Sequence, residues 1–516
     1  MTAAPRPIPR AITLAALFPP ASGCTIIGDD AVAITGLELD SRQVRQGDLF
    51  AALPGHLTHG AGYIPSALSA GAAGVFTDID TANALTAAGP VDFPIVVAVN
   101  PRQLLGSMAA QVYQGAPGIS DMAAGRAPRL FGVTGTNGKT TVTYLIEAGL
   151  RAAGRETGLV GTVGVRIGDV FSTAIRTTPE APHLHALLGV MREHGVQDVV
   201  LEVSSHALIE GRVNGLKFAA TAFTNLSQDH LDYHGTMEEY FQAKAELFTP
   251  QRTALGVIGV DTDWGRRLAS EATVPVVTWS CRGGVADWEL TSVGGRSLVR
   301  GPGDEQQELQ SRLPGAFNQS NILCAYVMLR SAGIAPEQAA AGIAAVVVPG
   351  RMEVVCSRAG VTAIVDYAHT PDAVAGAIES VRTNCTGALI VVLGAGGDRD
   401  RNKRAAMGKS AALLADHVIV TDDNPRSEDP ALIRAAIIRG AGAVTASSRG
   451  DLATVTEVPD RRAAISQAVS LARDGDFVLV LGKGHEQGQE IAGKILPFDD
   501  RDELRAAFDG GIWADS

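Results

Sequence analysis

The chain is 516 residues long, which by the usual length prior divides into about three domains, each able to bury a full core. A net charge of -12 argues against nucleic acid as a partner, and no run approaches the ~18 apolar residues of a membrane span. Five cysteines (Cys24, Cys281, Cys324, Cys356 and Cys385) stand singly, with neither a paired metal spacing nor an even count for a disulfide framework, so a reducing, cytoplasmic setting is expected.

At the N-terminus, Arg6 and Arg10, the apolar stretch 11–18 and Ala21-Ser22-Gly23-Cys24 resemble a lipoprotein export signal, but the apolar part is short and stops at Pro19-Pro20. The first hundred residues then read as a small α/β unit, with strands at 36–39, 49–53, 74–76 and 95–99, a helix at 64–70, and Asp40-Ser41-Arg42 at a strand end. A helix over 102–113 follows, and the Gly-, Ala- and Pro-rich stretch 115–127 reads as a loop. Domains are expected over 1–101, 102–349 and 350–516, the second boundary marked by Val346-Val347-Val348-Pro349-Gly350.

The central section opens on an apolar run that leads into Gly132-Val133-Thr134-Gly135-Thr136-Asn137-Gly138-Lys139-Thr140-Thr141, from which 141–151 departs with helical spacing of Val142, Leu145, Ile146 and Leu150. Strand, glycine loop and helix stand in the order a phosphate site needs. The glycines let backbone amides turn toward an anion, the helix N-terminus adds its partial positive charge, Lys139 reaches the terminal phosphates, and the Thr140 hydroxyl can ligate magnesium. The implied ligand is a nucleoside triphosphate. The common P-loop places four residues between its glycines, whereas Gly135 and Gly138 enclose two and position 133 is Val, which counts against a generic GTPase or kinase.

Further strands are expected at 199–203, 219–224 and 255–260. Glu202 ends the first of these. A buried carboxylate there needs a cation, either magnesium shared with Thr140 or a paired lysine. The stretch 224–235 gathers Asp229, His230, Asp232 and His234 directly after a strand, and His230 as neutral imidazole could ligate a second metal. Over 237–248 an amphipathic helix carries Lys244 among Phe241, Ala245, Leu247 and Phe248; composition alone makes it a solvated surface lysine.

Beyond Arg351, strands at 361–365, 389–393, 417–421 and 477–481 alternate with helical patterns and predict a largely parallel sheet whose polar residues cluster at strand C-terminal ends. Asp366-Tyr367-Ala368-His369-Thr370-Pro371, Asp423-Asn424-Pro425-Arg426 and Gly482-Lys483-Gly484-His485-Glu486 fall at those ends. The glycines of Gly394-Ala395-Gly396-Gly397-Asp398-Arg399 lack dinucleotide spacing, and no acidic residue sits suitably after a second strand, which excludes an oxidoreductase. That loop reads as a flexible turn presenting Arg399, with Asp400, Lys403 and Arg404 nearby.

Residues 135–141, 202–206, 224–235 and 366–371 together resemble the Mur ligases, the ATP-dependent amide-forming enzymes of cytoplasmic peptidoglycan precursor synthesis, and the resemblance covers nearly the whole chain. Asp40-Ser41-Arg42, Thr177-Thr178-Pro179 and the motifs at 423–426 and 482–486 narrow it to the branch that adds meso-diaminopimelate to UDP-N-acetylmuramoyl-L-alanyl-D-glutamate. The resemblance implies an α/β protein of three domains: an N-terminal UDP-binding domain, a central P-loop ATPase domain with a mostly parallel sheet, and a C-terminal Rossmann-like domain. It implies ATP as co-substrate on Gly135, Thr136, Asn137, Gly138, Lys139, Thr140 and Thr141, with Asn318 and Asn321 at the base, Arg351 at the phosphates and Asp366 at the ribose. From the residues alone, the Asn pair could equally cap a helix.

The resemblance also makes Lys244 a carbamylated lysine that joins Thr140, Glu202 and His230 around magnesium, which requires a lysine whose pKa is lowered by burial. It assigns Leu39, Ser41, His56 and Thr58 to the nucleotide sugar, and Thr177, Thr178, Ser204 and Arg212 to its peptide end, where guanidinium suits a D-glutamate carboxylate. Arg176 and Glu210 depart from the family pattern of an amide and a Gln. For the acceptor it implies Arg399 and Arg426 as cations for the second carboxylate and Asp423 and Glu486 as anions for the second ammonium, beside Asn424, Pro425 and Gly482. A buried Arg facing lysine would be left unpaired, although Asp-Asn-Pro-Arg is by composition also a simple turn. Three small-molecule substrates, no membrane partner and a monomer are expected. A folate-polyglutamate or cyanophycin type of ligase would share the loop but lack the acceptor motif and the first domain, and a non-catalytic nucleotide-binding scaffold would have lost Lys139, Glu202 or His230.

Overall fold

The three main sheets have inner strands whose side chains are buried on both faces, the pattern of parallel β layers covered by helices. A computed structural model describes residues 5–55, 58–113, 127–173, 176–293, 296–445 and 451–510. His56 lies outside the described residues, as does the expected loop at 115–127 but for Ala127. The first sheet runs in the order Thr25–Ile27, Ile95–Val97, Gly74–Thr77, Asp48–Ala52, Gly36–Glu38, parallel except for its first strand. The signal-like segment packs here: Leu14, Leu17 and Phe18 join the core of this unit, and Arg6 pairs with Glu38 and Asp48 at 2.9 and 2.6 Å. The helix Pro101–Tyr113 puts its Leu105, Met108 and Val112 into that same core, while its other side meets the helix Ala181–Glu193.

The central sheet has eleven strands. Its middle is Thr157–Val160, Asp198–Glu202, Arg129–Thr134, Ala220–Phe223, Gly256–Gly259 and Val276–Ser280, all parallel. Gly164–Ile167 and Val170–Thr173 extend one side antiparallel; on the other, Trp288–Val293 pairs parallel with Val276–Ser280 and is followed by antiparallel Arg296–Arg300 and Gln306–Leu309. The third sheet is ordered Glu353–Arg358, Val361–Asp366, Phe477–Leu481, Leu389–Leu393, His417–Val420, Thr454–Glu457, and only its first pairing is antiparallel. In Leu389–Leu393 every residue is buried, which the unbroken apolar run requires.

Register decides where the chemistry falls. Glu202 pairs with Val133, and Phe223 with Thr134, so the glycine loop, Glu202 and the segment after Phe223 emerge side by side. In the third sheet Asp366 pairs with Leu481, Leu393 with Leu481 and Leu393 with Val420, which puts the loops after all four strands on one edge. No helix among the described residues is long and apolar enough to cross a membrane.

Candidate active site

The phosphate loop is held by the segment that follows the neighbouring strand. Thr136 N donates to Asn225 O at 2.9 Å, Asn137 N to Asn225 Oδ1 at 3.0 Å, and the Thr224 hydroxyl to Asn137 O at 2.6 Å. Two glycines are obligatory. Gly135, at φ 147°, would put a Cβ 1.9 Å from Thr224 Oγ1, and Gly138, at φ 87°, one 2.3 Å from Asn321 Oδ1. Lys139 folds back over the loop, its Nζ donating to Gly135 O and Thr136 O, both at 2.9 Å. Burial lowers its pKa, opposed by Glu202 and Asp229. Thr140 and Thr141 are buried in the first turn of the helix Lys139–Ala152.

Glu202 is 1% exposed and is held by Thr162, whose N and Oγ1 donate to its two carboxylate oxygens at 2.7 and 3.0 Å. Lys244 differs from the composition-based expectation. It is 1% exposed, because the helix Met237–Ala245 turns the Tyr240, Phe241 and Lys244 face against the glycine loop. Its Nζ donates to Gly135 O at 3.0 Å and lies 4.5 Å from the centroid of the Tyr240 ring. Burial, reinforced by Lys139, drives its pKa well below the ordinary lysine value, toward a free amine. His230 stands at φ 55°, its ring perpendicular to that of His206 at 4.9 Å, and burial keeps the imidazole neutral.

Thr140, Glu202 and His230 offer hydroxyl, carboxylate and imidazole donors, which suit a divalent cation in part. Among the described residues no group of three or more His, Cys, Asp or Glu is gathered to hold a metal. These three donors alone would fill only part of the six-coordinate shell of a magnesium ion.

A cleft of ≈ 1510 Å³ runs between the central and C-terminal units; it is lined by Lys139, Thr140, Glu202 and His230 on one side and by Arg351, Asp366 and His369 on the other. Arg351 reaches across it, Nη2 donating to Thr140 Oγ1 at 3.0 Å with the guanidinium 4.1 Å from the centroid of Tyr367. Both oxygens of Asp366 accept backbone amides, of Met352 at 2.7 Å and Ala368 at 2.8 Å, so it shapes this turn as well as facing the cleft. The Asn pair is not a helix cap. The helix Ala316–Ser331 is preceded by Gly315 with no side-chain cap, while Asn318 Nδ2 donates to Pro314 O at 2.7 Å and Asn321 Nδ2 to Asn318 Oδ1 at 3.0 Å.

On the C-terminal edge, Asn424 Nδ2 donates to Glu486 Oε2 at 2.8 Å, and Lys483 Nζ, fully buried, reaches Asn424 Oδ1 at 2.9 Å and Glu486 Oε2 at 3.1 Å. Arg426 Nη1 donates to Gly397 O at 2.6 Å. Asp423 and Pro425 are buried beside them, and Gly482 is required because a Cβ would lie 2.3 Å from Asp423 Oδ2. Arg399 is exposed, donating to Asp398 O at 3.4 Å, and no contact ties it to Arg426 or Glu486.

The cluster expected at the peptide end of the nucleotide sugar is organised around Arg212. Its Nη1 donates to Thr178 O at 3.2 Å, and it is flanked by Glu210 at 2.5 Å and Glu180 at 3.1 Å. The two departures from the family pattern thus join one network: Glu210 binds Arg212, and Arg176 binds Glu180. Thr178 donates to Glu202 O at 2.8 Å, Thr177 Oγ1 lies 3.0 Å from the Thr162 hydroxyl oxygen, whose own proton goes to Glu202, and Ser204 caps the helix Ser205–Ile209. In the first unit Leu39 and buried Ser41 follow Glu38, which His183 of the central unit approaches at 3.1 Å, while Thr58 is exposed. Sequence reasoning missed Thr162 and Tyr367 as supports. The strand before Thr162 is only four residues long and contains Gly158, which left it without a readable signal.

A phosphate loop, a buried carboxylate and lysine beneath it, and a second α/β unit facing them across a cleft define an ATP-dependent amide-forming ligase of three domains. Residues 133–329 match the family model described as Mur ligase middle domain, 350–484 that of the Mur ligase glutamate ligase domain, and 33–113 that of the Mur ligase family catalytic domain. The chain belongs to the Mur ligase family. It is 50% identical over 486 residues, 93% of each chain, to the UDP-N-acetylmuramoyl-L-alanyl-D-glutamate--2,6-diaminopimelate ligase of Streptomyces coelicolor. It is 44% identical over 522 residues to the UDP-N-acetylmuramyl-tripeptide synthetase of Leifsonia xyli, covering 98% of this chain and 97% of that one. A solved structure of a UDP-N-acetylmuramoyl-L-alanyl-D-glutamate--2,6-diaminopimelate ligase superposes with a TM-score of 0.65 at 31% identity, covering 97% of this chain and 99% of the other.

Proposed function

We propose that this chain adds meso-diaminopimelate to UDP-N-acetylmuramoyl-L-alanyl-D-glutamate at the expense of ATP, a cytoplasmic step of peptidoglycan precursor synthesis carried out by a monomer. The observation that carries the reading is the convergence on one cleft of the glycine loop, Glu202 and His230 with Arg351 from the facing unit, with Lys244 buried directly behind the loop. The donor's carboxylate oxygen attacks the γ-phosphorus of ATP, the bond to the bridging oxygen breaks, and ADP leaves. The acceptor amine then attacks the acyl carbon of the resulting acyl phosphate, loses its proton, and the tetrahedral intermediate expels phosphate. Phosphoryl transfer asks mainly for positioning and charge neutralisation. Lys139 unfolds from Gly135 O and Thr136 O onto the terminal phosphates, Arg351 adds a second cation, and the loop amides cradle the anion.

Magnesium, held by Thr140, Glu202, His230 and a carbamylated Lys244, would neutralise phosphate charge. The low pKa of Lys244 supports carbamylation, since only a neutral amine captures carbon dioxide. Asn318 and Asn321 contact the base and Asp366 the ribose. Leu39, Ser41, His56 and Thr58 receive the nucleotide sugar, and Thr177, Thr178, Ser204 and Arg212 its peptide. Asp423, Asn424, Pro425, Arg426, Gly482 and Glu486, with Arg399 from the adjoining turn, bind the acceptor's distal head, where a cation for its carboxylate lies beside an anion for its ammonium.

Phosphate release measured with ATP, the UDP-linked dipeptide and each of diaminopimelate, lysine and glutamate tests this. Turnover with diaminopimelate is expected, and Lys139→Ala should abolish it. Turnover only with lysine or glutamate would overturn the acceptor assignment, and none with any acceptor would overturn the enzymatic reading.

A further inference from the structure

The hairpin of Gly488–Ile491 and Lys494–Pro497 is stitched to the acceptor loop along its backbone. Arg426 N donates to Glu490 O at 3.0 Å and Ala492 N to Arg426 O at 2.7 Å. Glu490 N donates to Asn424 Oδ1 at 3.0 Å and Gln489 Nε2 to Asp423 O at 2.9 Å. These ties hold Arg426 at φ 52°, a left-handed backbone that a non-glycine residue adopts only when its surroundings insist. With Nη1 anchored on Gly397 O, the guanidinium is fixed in place.

Its Nε faces Glu490 Oε2 at 3.3 Å, with the two side chains 24% and 38% exposed. That contact is single and longer than the roughly 2.7–2.9 Å of a well-made charge-assisted bond. The neighbouring Arg404 shows what a permanent pair looks like here: both its terminal nitrogens bind Glu428, at 3.1 and 2.8 Å, with 4% and 12% exposure. Arg426 is therefore a rigid cation carrying a loosely held, replaceable carboxylate.

We infer that Glu490 is a resident stand-in for the acceptor's distal carboxylate, occupying Arg426 in the empty site and leaving it when the acceptor binds. This rests on the proposal that Arg426 receives that carboxylate. Exchanging one carboxylate for another on the same cation gains little, so Glu490 weakens the acceptor by whatever its own pair is worth. An acceptor without a distal carboxylate leaves the pair intact, so Glu490 also narrows the preference for diaminopimelate.

Steady-state kinetics of the full chain with saturating ATP and UDP-linked dipeptide test the inference. Glu490→Gln keeps every backbone stitch and removes the competing charge; the KM for diaminopimelate is expected to fall about three- to fivefold, the worth of an exposed ion pair. Glu490→Asp, which keeps the charge, should fall less. In an Arg426→Ala background the Gln substitution should have no effect, since nothing remains to compete for. An unchanged or raised KM in Glu490→Gln would overturn the inference while leaving Arg426 as the carboxylate site. A wild-type KM in Arg426→Ala alone would overturn that underlying assignment and this inference with it.

Discussion

His185 sits on the helix Ala181–Glu193 with no exposure at all, its Nε2 donating to Asn214 O at 2.9 Å and its Nδ1 without a partner. Burial pushes its pKa down to about 4. In the unfolded chain an ordinary imidazole titrates near ~6.5. Between those values the unfolded state binds a proton that the folded state refuses, so stability rises with pH across the window and is lost as pH falls from about 6.5 toward 4, at roughly 1.4 kcal/mol per pH unit. The thermal midpoint of His185→Gln should accordingly fall less steeply on acidification over that range; a parallel pH profile would show that His185 does not carry the effect. At this scale the sequence was legible where chemistry dictates type and spacing, as in Gly135 through Thr141. It was illegible where only packing decides. Lys244 looks like a solvated lysine until the elements against it are known, yet it is buried.

Among the elements, the strands that carry motif residues could be read because they are unbroken apolar runs ended by polar or glycine loops, as in Leu389–Leu393 and Phe477–Leu481. The edge strands could not. Gln306–Leu309 and Lys494–Pro497 are short and mostly exposed, so no alternation of buried and exposed side chains marks them. What secures a motif strand is visible at Arg461, the first residue of the helix Arg461–Leu471. It is buried against equally buried Asp500, with Nε at 2.7 Å and Nη2 at 2.8 Å from the two carboxylate oxygens, and Nη2 also donates to Leu481 O just before Gly482. Arg461→Met strands the carboxylate without a cation, a loss of about 3–5 kcal/mol. The double change Arg461→Met, Asp500→Leu removes both charges and should recover most of it, because replacing a buried pair by apolar side chains is often close to neutral. Thermal denaturation of the two variants decides this; equal midpoints would mean that the stranded charge is not the cost.

For the whole molecule, the sequence predicted three α/β units but not the side chains that hold one against another, since a tie between units has no local signal. Among the described residues, ties across the nucleotide cleft include Arg351 to Thr140, His485 to Thr162 O at 3.3 Å, and Lys403 to Asp229 at 3.3 Å. The last lies closest to the chemistry. Asp229 is nearly buried, its Oδ1 also accepts His230 N at 3.0 Å, and its Oδ2 lies 3.9 Å from His369 Nε2, so one carboxylate both sets the turn that aims His230 and receives two groups of the opposite unit. Burial would raise the pKa of this carboxyl, but the Lys403 ammonium, which faces it and hydrogen-bonds to it, helps to hold it below the ordinary carboxylate value. Docking of the C-terminal unit and orientation of His230 are thereby coupled through Asp229. Truncating one partner of a buried, hydrogen-bonded charge pair between units costs about 2–5 kcal/mol, much of it from the charge left behind. Lys403→Met should therefore lower kcat/KM for ATP at least about tenfold by that principle, while the thermal midpoint moves little because each unit keeps its own core. Lys403→Arg should restore part of the loss. With side-chain exposures of 10% and 5% the pair is shielded from counterions, so moderate salt should leave the wild-type rate nearly unchanged. Full activity in Lys403→Met would show that the two units meet over the nucleotide without this tie.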